Sequence, residues 1–166
     1  GGLIGAATSE IPMSIGLVSV GAGLAVGIAG LSALGQGIAA ASGVGSIAEK
    51  DSVFGKSILF SVLPETQALY GIIIAVLLLT GVGLLGTLKT GISLVQGLGG
   101  VGIGLTMGLA AVSAVGQGIV SASSIGGVVR DSKSTGKSLV LSVIPETYAI
   151  FGLLIAILLL IGLQLI

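Results

Sequence analysis

Four long apolar runs, separated by short polar breaks, constrain this 166-residue chain more than any other feature. The breaks are AEKDS (48–52), TLKTG (87–91) and RDSKSTG (130–136). Only 7% of the residues are charged, whereas an ordinary soluble domain has about 25%, so the chain lacks the polar shell that water requires. Each run has the roughly 20 residues that a helix needs to cross a bilayer. Because open sheet edges are not viable in lipid, the sequence predicts an all-α membrane protein.

The two halves of the chain are copies of each other at an offset of 81 residues. GLSALGQGIAAAS (30–42) aligns with AVSAVGQGIVSAS (111–123), and PET (64–66) aligns with PET (145–147). Such self-similarity indicates one structural unit written twice.

We therefore expect two tandem-repeated helical hairpins, one in residues 1–85 and one in residues 86–166. The four transmembrane helices are predicted at about 12–48, 52–85, 91–129 and 133–164. The opening residues 1–10 lack the basic region of a signal peptide and are not interpreted as one.

The basic residues predict how the hairpins are oriented. Five of them flank the two hairpin loops, and only Lys89 lies near the opposite side; the five are Lys50, Lys56, Arg130, Lys133 and Lys137. Because cytoplasmic loops carry an excess of Lys and Arg, we expect both hairpin loops in the cytoplasm and both termini outside.

The glycines suggest how the helices pack. Gly23 and Gly27 on the first helix, and Gly104 and Gly108 on the third, have the spacing that lets membrane helices approach closely. The second and fourth helices are bulkier, which favours a tight inner layer and a lipid-facing outer layer. A compact four-helix bundle is the alternative.

Several function classes are excluded. The chain has no Cys and no His, which removes disulfides, thiol chemistry and the commonest transition-metal ligands. Zero net charge argues against nucleic acid. Gly97, Gly99 and Gly102 spell a dinucleotide-like motif, but no strand precedes them. The two GKS triplets lack the earlier glycine of a phosphate-binding loop.

Glu65 and Glu146 are ionisable residues inside predicted spans. An acidic group at a helix centre costs about 2.5–3.5 kcal/mol to insert. Glu65 follows Lys56 by nine residues, about 13 Å along a helix, which is too deep for easy escape to the headgroups. A functional role is therefore favoured over a side chain that simply reaches the membrane surface.

Each Glu-bearing helix also carries a polar patch on its opposite face. At about 100° per residue, the patch on the second helix comprises Leu63, Thr66, Gln67 and Tyr70. The corresponding patch on the fourth helix comprises Ile144, Thr147, Tyr148 and Phe151. A carboxylate on one face and a patch on the other suit a head-to-tail interface, which closes into a ring.

Gln36 and Gln117 each precede a Glu by 29 residues. A buried amide needs partners, and a nearby carboxylate would provide one; simple cross-linking of helices is the alternative. Together, carboxylate, amide and hydroxyl oxygens would form a site for a hard cation. Pro64 and Pro145 are expected to free the carbonyls of Phe60 and Leu141, either to bind an ion or merely to kink the helix.

At these residues the chain resembles the membrane rotor proteolipid, known as the K or c component, of V-type and archaeal-type ATPases. The resemblance covers the duplicated hairpin, the glycine-rich inner helices, both GQG motifs and both PET motifs. It implies a ring of identical chains in the membrane, turning against a static membrane subunit and attached to central-stalk subunits. Rotation would couple passage of Na+ or H+ to ATP turnover elsewhere, so the chain itself is not expected to be an enzyme or to bind a cofactor.

The resemblance also implies two ion sites. In Na+-carrying members the ligand types match Glu146 with Gln117, Leu63, Thr66 and Gln67, while Tyr70 steadies the carboxylate. The second site would use Glu65 with Gln36, Ile144, Thr147 and Tyr148. It is expected to be less complete, because Tyr148 replaces the amide and Phe151 replaces the tyrosine.

Two other classes of function are considered. One is a small secondary ion transporter or channel that works without a motor, although such proteins usually have inverted repeats. The other is a purely structural membrane proteolipid. Two retained carboxylates favour an archaeal or bacterial cell membrane over a eukaryotic vacuole.

Overall fold

The computed structural model describes residues 11–166. The predicted absence of a signal peptide in residues 1–10, and the first part of the predicted hairpin 1–85, lie outside these residues. The described chain is helical, and it contains four helices long and apolar enough to cross a membrane. They are α1 (Met13–Glu49), α2 (Asp51–Gly81), α3 (Leu94–Arg130) and α4 (Ser132–Gly162).

Each long helix contains a local irregularity. In α1 a single turn separates the segments Met13–Ala29 and Ser32–Glu49. In α3 a single turn separates the segments Leu94–Ala111 and Ser113–Arg130. Both α2 and α4 begin with a short 3-10 turn, Asp51–Val53 and Ser132–Ser134 respectively.

The breaks within α2 and α4 fall at the prolines, which cannot donate a backbone hydrogen bond. The α2 break separates Phe54–Val62 from Thr66–Gly81 by a 3-10 turn, Leu63–Glu65, and the α4 break separates Thr135–Val143 from Glu146–Gly162. The expectation that the carbonyl of Leu141 is free is wrong. It accepts a long hydrogen bond of 3.4 Å from the backbone N–H of Ile144, because the backbone tightens around Pro145.

The helix ends differ from the predicted ends by one to four residues. The largest difference is at α2, which ends at Gly81 because Gly83 adopts a φ of 78°. The N–H groups of Gly83 and Leu84 bond the carbonyls of Thr80 and Leu79, at 2.9 Å each, and this pattern terminates a helix. At the start of α3, the side-chain oxygen of Ser93 accepts a hydrogen bond from the backbone N–H of Gln96. The side-chain oxygen of Gln96 in turn accepts one from the backbone N–H of Ser93.

The helices α1 and α3 pack side by side and run parallel. A Cβ on Gly104 would overlap the carbonyl oxygen of Gly21, and a Cβ on Gly118 would overlap that of Gly35. Close backbone approach of this kind requires glycine. Gly23 and Gly27 take no part in this contact within the chain, since none of its described atoms lies within 4 Å of the position of their Cβ atoms. Both lie on the exposed side of α1.

The helices α2 and α4 lie outside this inner pair. Helix α2 runs antiparallel to α1 and contacts both α1 and α3, whereas α4 contacts α3 and α2. Apolar side chains from all four helices form the main core, with Ile15 and Val18 on α1, Ile74 and Leu78 on α2, Ile103 and Met107 on α3, and Leu160 on α4. The result is two parallel hairpins with a close inner pair and an outer pair. The predicted fold class is confirmed.

Candidate functional site

Glu146 lies where α2, α3 and α4 meet. It is the first residue of the helical segment that follows the break at Pro145, and its side chain is half-buried. The hydroxyl of Tyr70 donates to Oε1 of Glu146 at 2.8 Å. The amide of Gln117 donates to Oε2 at a longer 3.5 Å. Two different helices thus place a donor on the same carboxylate.

A second set of hydrogen bonds joins α2 to α3 beside this carboxylate. Gln67 and Gln117 are fully buried, and the amide of Gln67 donates to the side-chain oxygen of Gln117 at 2.7 Å. The hydroxyl of Thr66 lies 3.0 Å from the carbonyl oxygen of Leu63 and 3.1 Å from the amide oxygen of Gln67. The side-chain polar groups of Thr66, Gln67 and Gln117 therefore have partners within the site.

The local sequence of α2 explains why these groups share one face. Pro64 interrupts the hydrogen-bond ladder, and the 3-10 turn Leu63–Glu65 leads into a regular helix from Thr66. The i, i+3, i+4, i+7 spacing then aligns Leu63, Thr66, Gln67 and Tyr70. Because α2 also packs against α3, this face meets Gln117 and Glu146 together.

The oxygen atoms around Glu146 suit a ligand with a single positive charge. The site has one carboxylate, whereas the oxygen sites of divalent cations commonly use several. In the described part of the chain, no three or more His, Cys, Asp or Glu residues are grouped so as to hold a metal ion. One carboxylate surrounded by neutral carbonyl, hydroxyl and amide oxygens suits a hard monovalent cation or a proton.

The other carboxylate, Glu65, has a simpler environment. Its side chain is exposed, and among the described residues its one hydrogen-bond partner is Gln36, whose amide donates at 3.2 Å. Gln36 was expected to be a buried amide but is half-buried. The difference arises because the chain's own α2 and α4 cover Gln117, whereas within residues 11–166 no second Glu-bearing helix covers Gln36.

The other three predicted ligands of the Glu65 site lie on an exposed face of α4. Ile144 and Tyr148 are 56% and 68% exposed, and Thr147 is exposed as well. A single chain therefore brings Glu146 together with Gln117, Gln67, Thr66, Leu63 and Tyr70. It brings Glu65 together with Gln36 and leaves Ile144, Thr147 and Tyr148 exposed.

Serines next to this site were not predicted from the sequence. Ser121 lies one turn beyond Gln117 and is fully buried, and its hydroxyl has no hydrogen-bond partner among the described residues. Further along the same face, Ser124 and Ser142 join α3 to α4 through hydroxyls 2.9 Å apart. The four-residue spacing from Gln117 is the signal that could have identified Ser121.

Comparison with known proteins decides the family. Residues 20–78 and 101–159 each match the family model of the ATP synthase C subunit, and together they make up more than half of the chain. The chain belongs to the ATP synthase C-subunit family. As a member of this family it carries two copies of the family unit, one in each hairpin, and the resemblance noted from the sequence is confirmed.

Curated relatives of this C-subunit family member come from archaea and bacteria. An A-type ATP synthase subunit K of Methanocaldococcus jannaschii is 56% identical over 137 residues, which are 82% of this chain and 60% of that protein. A V-type sodium ATPase subunit K of Enterococcus hirae is 32% identical over 133 residues, 75% of this chain and 81% of that protein. The chain thus spans less than two thirds of the length of the Methanocaldococcus relative.

Proposed function

We propose that this chain is an ion-carrying rotor-ring subunit in the membrane sector of an A-type or V-type rotary ATPase or ATP synthase. The observation that carries the proposal is Glu146, a carboxylate inside a membrane span that accepts hydrogen bonds from Tyr70 and Gln117. The relatives support it, since they are named as subunits of an A-type ATP synthase and a V-type sodium ATPase.

Loading of Glu146 would neutralise it. Na+ would take oxygens from Glu146, Gln117, Thr66 and Gln67 and from the carbonyl of Leu63, while the hydroxyl of Tyr70 holds the carboxylate in place. A loaded site has no net charge and can face lipid, whereas an unloaded carboxylate at a helix centre costs about 2.5–3.5 kcal/mol. The empty site would therefore be stable only against a polar or cationic surface, which a static membrane subunit would provide.

Further copies of the chain are the proposed neighbours in the membrane. The exposed face of α4, with Ile144, Thr147 and Tyr148, would pack over Glu65 and Gln36 of the next copy. This contact is heterologous, and such contacts close into a ring when the rotation per subunit allows it. The parallel inner helices, α1 and α3, would line the inside of that ring.

The chain has the role of a carrier and not of a catalyst. ATP turnover would take place in other subunits, which the central-stalk subunits connect to the ring. The excess of basic residues at the α1–α2 and α3–α4 loops favours an orientation with those loops in the cytoplasm and both termini outside. An archaeal or bacterial cell membrane is the proposed location.

The Glu65 site is proposed to carry an ion as well. If so, each chain transports two ions per turn of the ring, and the Glu65→Gln variant lowers the number of ions moved per ATP. Unchanged ATP-driven transport in that variant would show that Glu65 is not a carrier.

Carbodiimide labelling tests the proposal. The purified complex in mild detergent is treated with a carbodiimide, which attacks protonated carboxyls, and peptide mass spectrometry scores Glu146 with Na+ or with K+ at fixed pH and ionic strength. We expect labelling of Glu146 to stop ATP-driven transport and Na+ to slow the labelling. Labelling without loss of transport would refute the carrier role, and labelling that is insensitive to Na+ would leave H+ as the ion.

Size in mild detergent distinguishes the rotor from a motor-free transporter. A rotor ring should migrate as a large stable assembly, whereas a secondary transporter should migrate as a monomer or small oligomer. The parallel hairpins already differ from the inverted repeats common in such transporters.

A further inference from the structure

The two carboxylates of this chain have unequal surroundings, although the two halves are copies. At the 81-residue offset the glutamate, the inner-helix glutamine and the threonine are the same in both halves. Leu63 corresponds to Ile144, and each offers the same backbone carbonyl. Two positions of the polar patch differ in the chemistry of the side chain: Gln67 corresponds to Tyr148, and Tyr70 corresponds to Phe151. Both differences fall on side chains that act directly on the Glu146 site.

At Glu146 these two side chains perform separate tasks. The hydroxyl of Tyr70 donates to the carboxylate at 2.8 Å, which fixes one of its oxygens. Gln67 supplies an amide oxygen next to the hydroxyl of Thr66, and its amide nitrogen holds the oxygen of Gln117 at 2.7 Å. Gln67 is thus both a candidate ligand and the group that orients another one.

A second copy of the chain is the occupant that fits over Glu65. The interface between α2 and α4 within the chain provides the template, since the patch of α2 there covers the carboxylate of α4. The equivalent patch of α4 is exposed, with Tyr148 68% and Phe151 57% accessible. The aromatic rings of Tyr148 and Phe151 pack edge to face with their centroids 6.4 Å apart. If the α4 of one copy packs on the α2 of the next copy as α2 packs on α4 within the chain, the patch of α4 lies over Glu65 and Gln36 of that next copy.

The site completed in this way favours a proton over a metal ion. It offers oxygens from Glu65, Gln36 and Thr147, from the phenol of Tyr148 and from the carbonyl of Ile144. The phenol is a weaker cation ligand than the amide oxygen it replaces, and Phe151 has no hydroxyl at the position from which Tyr70 holds Glu146. Loss of an outer partner of a ligand typically lowers metal affinity about 10- to 100-fold, and loss of the amide ligand adds to this. A proton needs no such cage, because a protonated Glu65 can donate to one carbonyl while accepting from Gln36.

Few charged groups could alter this preference. Apart from Glu146, the charged side chains of the described elements around Glu65 lie at the loop ends: Glu49 on α1, Asp51 and Lys56 on α2, Arg130 on α3, and Lys133 and Lys137 on α4. Tyr70 faces Glu146. The α4 patch of the second copy that would face Glu65 contains Tyr148 and no acidic or basic side chain.

We propose that the two carboxylates of one chain load different ions, Na+ at Glu146 and H+ at Glu65. The inference rests on the proposed carrier function and specifies its cargo. Each chain would then move one Na+ and one H+ per turn of the ring, and Na+ concentration and pH would both drive or oppose the same rotor.

The test measures both carboxylates in the same sample. The intact complex is labelled with carbodiimide at a fixed pH in a Na+ titration, with K+ added to keep the ionic strength constant, and the peptides with Glu65 and Glu146 are quantified separately. At ten times the dissociation constant, labelling of a Na+ site falls about tenfold. We expect this fall at Glu146 and a change of less than about twofold at Glu65 over the same Na+ range.

Exchanging the two patches provides matched variants. The double substitution Y148Q/F151Y transfers the α2 pattern to α4, and we expect Na+ to protect Glu65 in it. The reverse double substitution, Q67Y/Y70F, should remove Na+ protection from Glu146. Because the two changes alter different helices, the second one keeps the test decisive if the first impairs assembly.

Each outcome has a separate meaning. Equal Na+ protection of both carboxylates in the unaltered complex would overturn the inference while leaving the carrier function intact. Protection of neither would overturn it too, and would leave H+ at both sites if labelling still blocks ATP-driven transport. If labelling of both carboxylates left transport unaffected, the proposed function would fall together with the inference.

Discussion

Removal of one hydroxyl at Tyr70 tests the structure of the Glu146 site most directly. In the Tyr70→Phe variant the ring remains and packs as before, but the donor 2.8 Å from Oε1 of Glu146 is lost. The backbone and the candidate ligands Thr66, Gln67 and Gln117 are unaltered. Any change in ion binding can therefore be assigned to the hydrogen bond on the carboxylate.

Two independent considerations give a similar magnitude. A hydrogen bond to a charged group contributes about 1.5–3 kcal/mol, and each 1.4 kcal/mol corresponds to a tenfold change in a dissociation constant. Substitution of a residue that hydrogen-bonds a metal ligand typically lowers the affinity for the metal about 10- to 100-fold. We therefore expect Tyr70→Phe to raise the Na+ concentration that half-protects Glu146 by about 10- to 100-fold.

The assay is carbodiimide labelling of Glu146 in the intact complex during a Na+ titration. Tyr148→Phe is the matched control, because it removes the same hydroxyl from the equivalent outer helix on a face that is exposed in the chain. It should leave the midpoint at Glu146 unchanged. A shift below about threefold in Tyr70→Phe, less than about 0.7 kcal/mol, would mean that the hydroxyl does not hold the carboxylate and would refute the site as described.

Three further substitutions test the packing and the helix ends. In Gly118→Ala a methyl group would overlap the carbonyl of Gly35, so we expect loss of the large assembly in mild detergent, whereas Gly37→Ala, with no atom within 4 Å of its Cβ position, should assemble normally. Gln117→Leu would leave the buried amide of Gln67 without its partner, which costs about 1–3 kcal/mol; a lower thermal-unfolding midpoint together with loss of Na+ protection at Glu146 is expected, and an unchanged midpoint would contradict the burial. Gly83→Ala would force a left-handed backbone on alanine at a cost of about 1–2 kcal/mol, visible as a lower midpoint than in Gly86→Ala, and equal midpoints would refute the turn at the end of α2.

The helix ends show where sequence reasoning reaches its limit. Proline and glycine mark possible ends, but an apolar helix followed by more apolar residues gives no signal of where the ladder stops. The second helix was predicted to reach residue 85 and stops at Gly81 because Gly83 can adopt a positive φ. Gln164 holds the equivalent position after α4 with a φ of 54°, although glutamine is not a residue that would have predicted it.

The inner contact shows the same limit. Spacing of four identified Gly104 and Gly108 as contact residues, and the structure places both against α1. The same spacing selected Gly23 and Gly27, which face outward, whereas Gly21 and Gly35 make the contact. On a helix that is apolar all round, several faces carry small residues, and only the docking of the partner helix selects one.

The sequence by itself determined the membrane environment, the four spans, the duplication and the two carboxylates with a polar patch opposite each. These features follow from hydropathy, from the 81-residue offset and from the 3.6-residue helical period, which are local properties. The resemblance implied that Glu146 is grouped with Tyr70, Gln67 and Gln117. Only the tertiary structure decided that one chain brings these residues together, while Glu65 meets Gln36 alone among the described residues. The reason is connectivity: α2 lies between the hairpins and packs on α3, so its patch reaches the following carboxylate, whereas the patch of α4 has no later helix in the described chain to meet.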